Sequence, residues 1–248
     1  MSPAADLWFG LPWWGWLLLA LAALLAGFAK TAISGVAMLT VVLAALVLPA
    51  RDSTGTVLLL FLTGDLVAIR TYRKVVDWRL LGRLVVPVLV GLALGAIFLA
   101  AVDDLVLKRT IGAILLALLL LGLRPDRVGA HRPAVARGYG GLAGFTTMVA
   151  NAGGPAMSLY LLAARYDKWR FLGTTAWFFF AVNVAKLPVS IGLGIIRPQT
   201  AAIAAVLVPL VLLGTWVGRL VIGRVDQATF DRLITLFVAI SALYLLLA

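Results

Sequence analysis

Apolar residues run through this chain in long stretches that are separated by short polar breaks. Most stretches hold about 18 or more residues, the length that a helix needs to cross a bilayer. No break is long enough for a soluble domain, so residues 1–248 read as one all-α membrane domain. The predicted apolar segments are 12–48, 54–70, 79–101, 105–123, 138–164, 170–193, 198–222 and 228–247.

Two of these segments are predicted to break or fold back at their middle. As a single helix, segment 12–48 would be about 54 Å long, nearly twice the hydrocarbon thickness of a bilayer. Polar and small residues from Lys30 to Gly35 lie near its centre. Segment 138–164 has Asn-Ala-Gly-Gly-Pro at 151–155, where proline removes a backbone donor and glycine favours irregular backbone.

A spacing that occurs twice predicts an internal duplication. Glycines four apart suit close packing of helices, and an aspartate after them suits a helix cap. Those roles explain the residue types but not the shared spacing, so we expect two repeats, at about 12–123 and 138–247. The two copies are Gly91, Gly95, Asp103 and Arg109, and Gly214, Gly218, Asp226 and Arg232.

Loop charges favour an inverted arrangement of the two halves. If every segment crosses once, the halves are parallel and the loop Lys and Arg residues divide almost evenly between the two sides. If segments 12–48 and 138–164 are re-entrant, each half keeps three crossings and the second half is inverted. The loop Lys and Arg residues then divide into 15 on one side of the membrane and 4 on the other. The second arrangement obeys the positive-inside rule and puts both termini outside. Segment 138–164 could also cross once with a kink.

Composition excludes several classes of protein. The net charge of +11 comes from basic residues in short loops beside apolar helices, where they orient the protein and contact anionic lipid rather than nucleic acid. The chain has no cysteine and a single histidine, His131, so no metal site or cofactor is expected. The tryptophans at 13, 14 and 16 resemble an interfacial belt, and no cleavable signal is apparent, so we expect this segment to be retained.

Three ionisable residues lie deep in apolar segments: Lys30, Asp65 and Lys186. A charge at that depth costs several kcal/mol unless it is paired or faces a watery cavity, so these residues predict an ion pathway. Asp65 could pair with either lysine, and as the deep carboxylate it is the candidate proton carrier. The alternatives are a snorkelling Lys30 and a purely structural ion pair.

Broken helices at mid-depth in inverted halves are typical of secondary transporters, whose helix ends bind the substrate. Helix N-termini near residues 34–35 and 154–155 would attract an anion. Asn151 could donate to a substrate oxygen or only cap a helix. Asp65 is the predicted proton-coupling residue. The predicted substrate-binding residues are Lys30, Thr31, Ser34, Gly35, Asn151, Gly153, Gly154, Asn183 and Lys186.

Four features together resemble the sulfite exporter TauE/SafE family over nearly the full chain. They are the Gly-Gly-Pro break, the Ala-Gly-Phe entries at 26–28 and 143–145, Val-Asp-Trp-Arg at 76–79, and the duplicated glycine pairs. The resemblance implies a multi-pass transporter of sulfite, sulfonates or related sulfur or carboxylate anions in a prokaryotic inner (plasma) membrane. The family's glycine cluster in the first half is replaced here by Lys-Thr-Ala-Ile-Ser-Gly at 30–35, which favours an anion but leaves its identity open.

Other functions remain open at this point. An anion channel would use the same broken helices without a titratable coupling residue. An enzyme is not expected, because the chain has no HExxH, GxSxG or paired-carboxylate pattern. A structural or assembly subunit is a third alternative. The expected partners are a small anion and the lipid bilayer, while a homo-oligomer, the transport direction and the coupling ion stay open.

Overall fold

The computed structural model describes residues 10–101, 113 and 132–247, and all regular structure in these residues is helical. This confirms the all-α prediction. The predicted segment 105–123, except residue 113, lies outside the described residues, as do Asp103, Arg109 and His131. The helices are α1 (Trp13–Thr31), α2 (Ala37–Ala45), α3 (Ala50–Tyr72), α4 (Trp78–Ala101), α5 (Pro133–Ala150), α6 (Gly153–Ala163), α7 (Lys168–Gly192), α8 (Pro198–Arg224) and α9 (Gln227–Leu247), with a 3₁₀ turn (Ser34–Val36) before α2.

Five of the described helices are long and apolar enough to cross a membrane. Their outward faces carry large apolar side chains, such as Val86 on α4, which is 69% exposed, and Trp216 on α8, which is 57% exposed. Apolar faces of this extent suit lipid rather than water. The helices therefore fit a multi-pass membrane protein. The five spans are Trp13–Thr31, Arg51–Tyr72, Trp78–Phe98, Lys168–Gly192 and Pro198–Arg224.

The first long segment folds back on itself, as predicted. Helix α1 ends at Thr31, and α2 then runs back along it. The Thr40 hydroxyl donates to the Ala22 carbonyl at 3.2 Å. Near the open end of the hairpin, a Cβ placed on Gly15 would come within 2.9 Å of the Val47 side chain. Both ends of segment 12–48 therefore lie side by side.

The segment at 138–164 also breaks and folds back. Helix α5 ends at Ala150, Asn151 has a left-handed backbone with φ of 52°, and α6 begins at Gly153. Asparagine is one of the few residues other than glycine that tolerates this conformation. The rings of Tyr139 and Tyr160, one on each arm, lie 5.7 Å apart, so the two arms pack against each other. The break is where the sequence predicts it, and the segment does not cross once with a kink.

Each hairpin packs its long arm on a helix from the other half of the chain. Gly27 on α1 lies against the Val211 backbone on α8, and Gly91 on α4 lies against the Gly141 backbone on α5. A side chain at either glycine would overlap the facing backbone, so the glycines permit the close approach. The predicted packing role of the repeated glycines is confirmed at Gly91.

The aspartate of the second repeat has its predicted role. Asp226 precedes α9, and its carboxylate accepts the Thr229 backbone N–H at 3.2 Å, which satisfies a donor at the helix start. The inversion of the two halves stays a prediction, because the third crossing of the first half would fall at 105–123.

Candidate functional site

The first element of the site is a buried ion pair. Lys30 lies in the last turn of α1, and its ammonium is 2.9 Å from Asp65 Oδ1 on α3. The two side chains are 9% and 0% exposed. Gly64 leaves room for the lysine, since a Cβ there would meet Lys30 Cγ at 2.9 Å. Because burial removes both charges from water, each depends on the other for compensation.

Asp65 is also held from the second half of the chain. Asn183 on α7 donates through Nδ2 to Asp65 Oδ2 at 2.7 Å. The other oxygen, Oδ1, has no directed hydrogen bond from any described residue, although the Lys30 ammonium is close to it. One oxygen of the carboxylate is therefore fixed by an amide, while the other lies against the lysine ammonium.

Lys186 is buried without an acidic partner in the described part of the chain. It lies on α7, is 4% exposed, and donates to the Thr147 carbonyl at 2.8 Å and to Asn151 Oδ1 at 2.5 Å. Thr147 is in the last turn of α5, where the carbonyl end of the helix dipole attracts a cation. Among the described residues, only neutral dipoles hold this ammonium at the second hairpin tip.

A cavity of about 30 Å³ lies between the two hairpin tips. It has room for one or two water molecules but is too small for an oxyanion of four heavy atoms. The hydroxyls of Ser34 and Ser158 are 2.9 Å apart and join the two hairpins beside it. The cavity is lined by Ala29, Lys30, Ser34, Ala37, Phe61, Thr147, Asn151, Gly154, Phe179 and Asn183.

Two phenylalanines flank the Lys30 ammonium. The ring centres of Phe61 and Phe179 lie 4.6 Å and 5.0 Å from Lys30 Nζ, close enough for cation–π attraction. Sequence reasoning missed both. The available signal was position, because each precedes a polar site residue, Asp65 or Asn183, by one helical turn on the same face.

Of the ten residues predicted for the site, seven meet there and three do not. Lys30, Ser34, Asn151, Gly154 and Asn183 line the cavity, and Asp65 and Lys186 bind those lining residues. The other three serve packing. The Thr31 hydroxyl donates to the Gly27 and Thr215 carbonyls, Gly35 lies against Phe237, and Gly153 lies against Ala143 and Thr147.

Among the described residues, no group of three or more His, Cys, Asp or Glu could hold a metal ion. The arrangement instead offers two cations, hydroxyl and amide donors, and one carboxylate at the meeting point of two hairpins. Such a set can bind a small anion and exchange a proton.

Comparison with protein families shows which family the chain matches. The model of the family described as Sulfite exporter TauE/SafE matches residues 19–245, a region that includes both hairpin tips and the whole buried cluster. Comparisons with curated proteins and with solved structures gave no match.

Proposed function

Because this chain belongs to the sulfite exporter TauE/SafE family of membrane transporters, we propose that it exports or exchanges a small anion across the inner membrane of a prokaryotic cell. Sulfite or an organosulfonate is the expected substrate. Other small sulfur-containing or carboxylate anions are the alternative. The proposed binding site is the cavity between the two hairpin tips.

The excess of cations in the buried cluster carries this proposal. Lys30 is paired with Asp65, whereas Lys186 interacts only with neutral acceptors in the described residues. A protonated Lys186 therefore leaves one positive charge without a counterion in a low-dielectric site. Since an unpaired buried charge is costly, the site gains stability when it takes up one anion.

The size of the cavity indicates a closed conformation. An open channel has a continuous wet passage through the protein, whereas this cavity of about 30 Å³ admits only water. Phe61 and Phe179 cover the Lys30 ammonium on the described surface of the cavity. We therefore interpret this conformation as substrate-free and closed, with the anion entering when the hairpins move apart.

Proton coupling follows from competition for Lys30. An anion that approaches the ammonium competes with Asp65 for it. Asp65 then loses its counter-charge, and the protonated form of its buried carboxyl group becomes more favourable. Asn183 continues to hold the carboxyl group in place through Oδ2. Anion binding and protonation of Asp65 are then linked, so a pH gradient can drive anion movement.

Sulfite flux in proteoliposomes tests the proposal. The wild-type protein should release trapped sulfite, and Lys30→Gln should weaken binding by about 1.5–3 kcal/mol, the contribution of a hydrogen bond to a charged group. Lys74→Gln, the same change at an exposed position between α3 and α4, is the matched control and should leave flux unchanged. Wild-type affinity in purified Lys30→Gln would exclude Lys30 from the site.

A further inference from the structure

A second polar cavity, of about 150 Å³, lies at the start of α4 and shares no lining residue with the cavity between the hairpin tips. It is formed by the beginning of α4, the beginning of α5, the end of α6 and the loop after α6. Its lining residues are Asp77, Arg79, Leu80, Arg83, Pro133, Ala136, Tyr160, Ala164 and Tyr166.

Two exposed arginines that line this cavity have no described charge partner. Arg79 and Arg83 are one helical turn apart on the same side of α4, and both line the cavity. Within residues 10–101 and 132–247, neither forms an ion pair with a carboxylate or a hydrogen bond through its guanidinium. Two planar, multiply donating groups are thus available to one ligand.

The acidic residue that lines the cavity already has hydrogen-bond and charge partners. Asp77 accepts hydrogen bonds from the Tyr166 hydroxyl at 2.6 Å, the Arg170 guanidinium at 2.7 Å and the Leu80 backbone N–H at 2.9 Å. Burial raises the pKa of Asp77, but these hydrogen bonds and the Arg170 charge outweigh it and hold the pKa below its usual range. Asp77 is therefore an ion whose charge Arg170 balances, and it does not neutralise Arg79 and Arg83.

A tyrosine that lines the same cavity has a hydroxyl without a described hydrogen-bond partner. Tyr160 is 5% exposed, lines the cavity, and interacts electrostatically with Asp77 and Arg83. Its ring is held against Tyr139, which fixes the direction of the hydroxyl. A hydroxyl that lines the cavity without a protein partner can donate to a ligand bound there.

We propose that this cavity binds an oxyanion of the phosphate type, with Arg79 and Arg83 as the charged ligands and Tyr160 as a neutral donor. Trp78, at the adjacent start of α4, is 56% exposed, and an uninterrupted apolar run begins after Arg83, which is the pattern of a helix entering the bilayer through the interfacial zone. At that level the phosphate of an anionic phospholipid is a ready source, because basic pockets between helices bind such headgroups. A free anion from solution is the other source of the same chemistry.

Thermal unfolding of the full-length protein tests the proposal with two probes. One probe is inorganic phosphate, added to protein in nanodiscs of phosphatidylcholine. The other is phosphatidylglycerol, mixed into the nanodisc lipid. At least one probe should raise the unfolding temperature of the wild type, since a ligand of the native state stabilises it. A response to phosphatidylglycerol alone identifies the lipid, and a response to inorganic phosphate identifies a free anion.

The variants decide whether the response comes from this cavity. Arg79→Gln combined with Arg83→Gln should weaken binding of the responding probe roughly ten- to a hundredfold, as expected for lost charge-assisted hydrogen bonds. Tyr160→Phe should weaken it by a smaller factor without removing a charge. Arg224→Gln, an exposed change at the end of α8, is the matched control. The proposal is overturned if neither probe stabilises the wild type, or if the double variant responds as the wild type does.

Discussion

Replacing Asp65 with asparagine tests both the stability and the coupling role of the buried ion pair. Asparagine keeps the shape and can still accept from Asn183, but it removes the counter-charge of Lys30. The ammonium then remains in a site where its side chain is 9% exposed. Breaking one partner of a buried pair typically costs 3–5 kcal/mol. For a chain of this size, that corresponds to a fall of roughly 6–20 °C in unfolding temperature.

The assay is a double-mutant cycle in detergent. Asp65→Asn and Lys30→Gln should each lower the unfolding temperature strongly, because each leaves one charge unpaired. The double variant has no charge at position 30 or 65, so it should be more stable than either single variant. The coupling energy obtained in this way belongs to the pair itself.

The Asp65→Asn variant is then reconstituted into proteoliposomes, and sulfite transport is measured. Asp65→Asn should abolish accumulation of sulfite driven by a pH gradient, while sulfite binding and passive exchange remain measurable. An unfolding temperature equal to that of the wild type would show that water, not Asp65, compensates Lys30. Accumulation driven by pH alone in the variant would place proton coupling on another residue.

Further predictions concern topology, packing and pH. A cysteine at Gln199 should react only from the periplasm and one at Val75 only from the cytoplasm, and labelling from the same side would refute the inverted arrangement. Gly27→Ala should destabilise by about 1–3 kcal/mol through overlap with the α8 backbone, whereas Gly82→Ala, which meets no atom within 4 Å, should be neutral or slightly stabilising in chemical denaturation. Because the folded pKa of Asp77 is lowered, its contribution to stability is present above roughly pH 4 and is lost as the pH falls further. Asp77→Asn should therefore flatten that part of the acid unfolding curve, and an unchanged curve would contradict this.

The helix breaks were predictable because their causes are local. Segment 12–48 is too long for one crossing, and Asn151 with the following glycines and proline cannot continue a regular helix. Helix boundaries were less predictable. Helix α5 begins at Pro133 rather than at 138, since proline suits the first helical position and the polar Arg137 can stay on an exposed face.

The charged members of the site were also predictable, but their partners were not. Depth in an apolar segment identifies Lys30, Asp65 and Lys186 one by one, because each is costly there. The choice of Lys30 as the partner of Asp65 depends on how α1 packs against α3, which sequence spacing does not contain.

Side-chain direction at the breaks was not predictable from the sequence. Thr31, Gly35 and Gly153 are next to the breaks in sequence, yet their side chains or Cβ positions face neighbouring helices. Phe61 and Phe179 were missed for the opposite reason. An aromatic residue in an apolar segment looks the same whether it faces lipid, the core or a cation.

The packing of α1 on α8 has a consequence for how the chain is made. The Thr31 hydroxyl bonds a carbonyl that lies 184 residues later in the sequence. At a synthesis rate of roughly 5–20 residues per second, the first hairpin waits about 9–37 s in the membrane before its partner exists. During that interval the face of α1 around Gly27 is open to lipid and to neighbouring chains. Helix α1 thus completes its contacts only after α8 has been made.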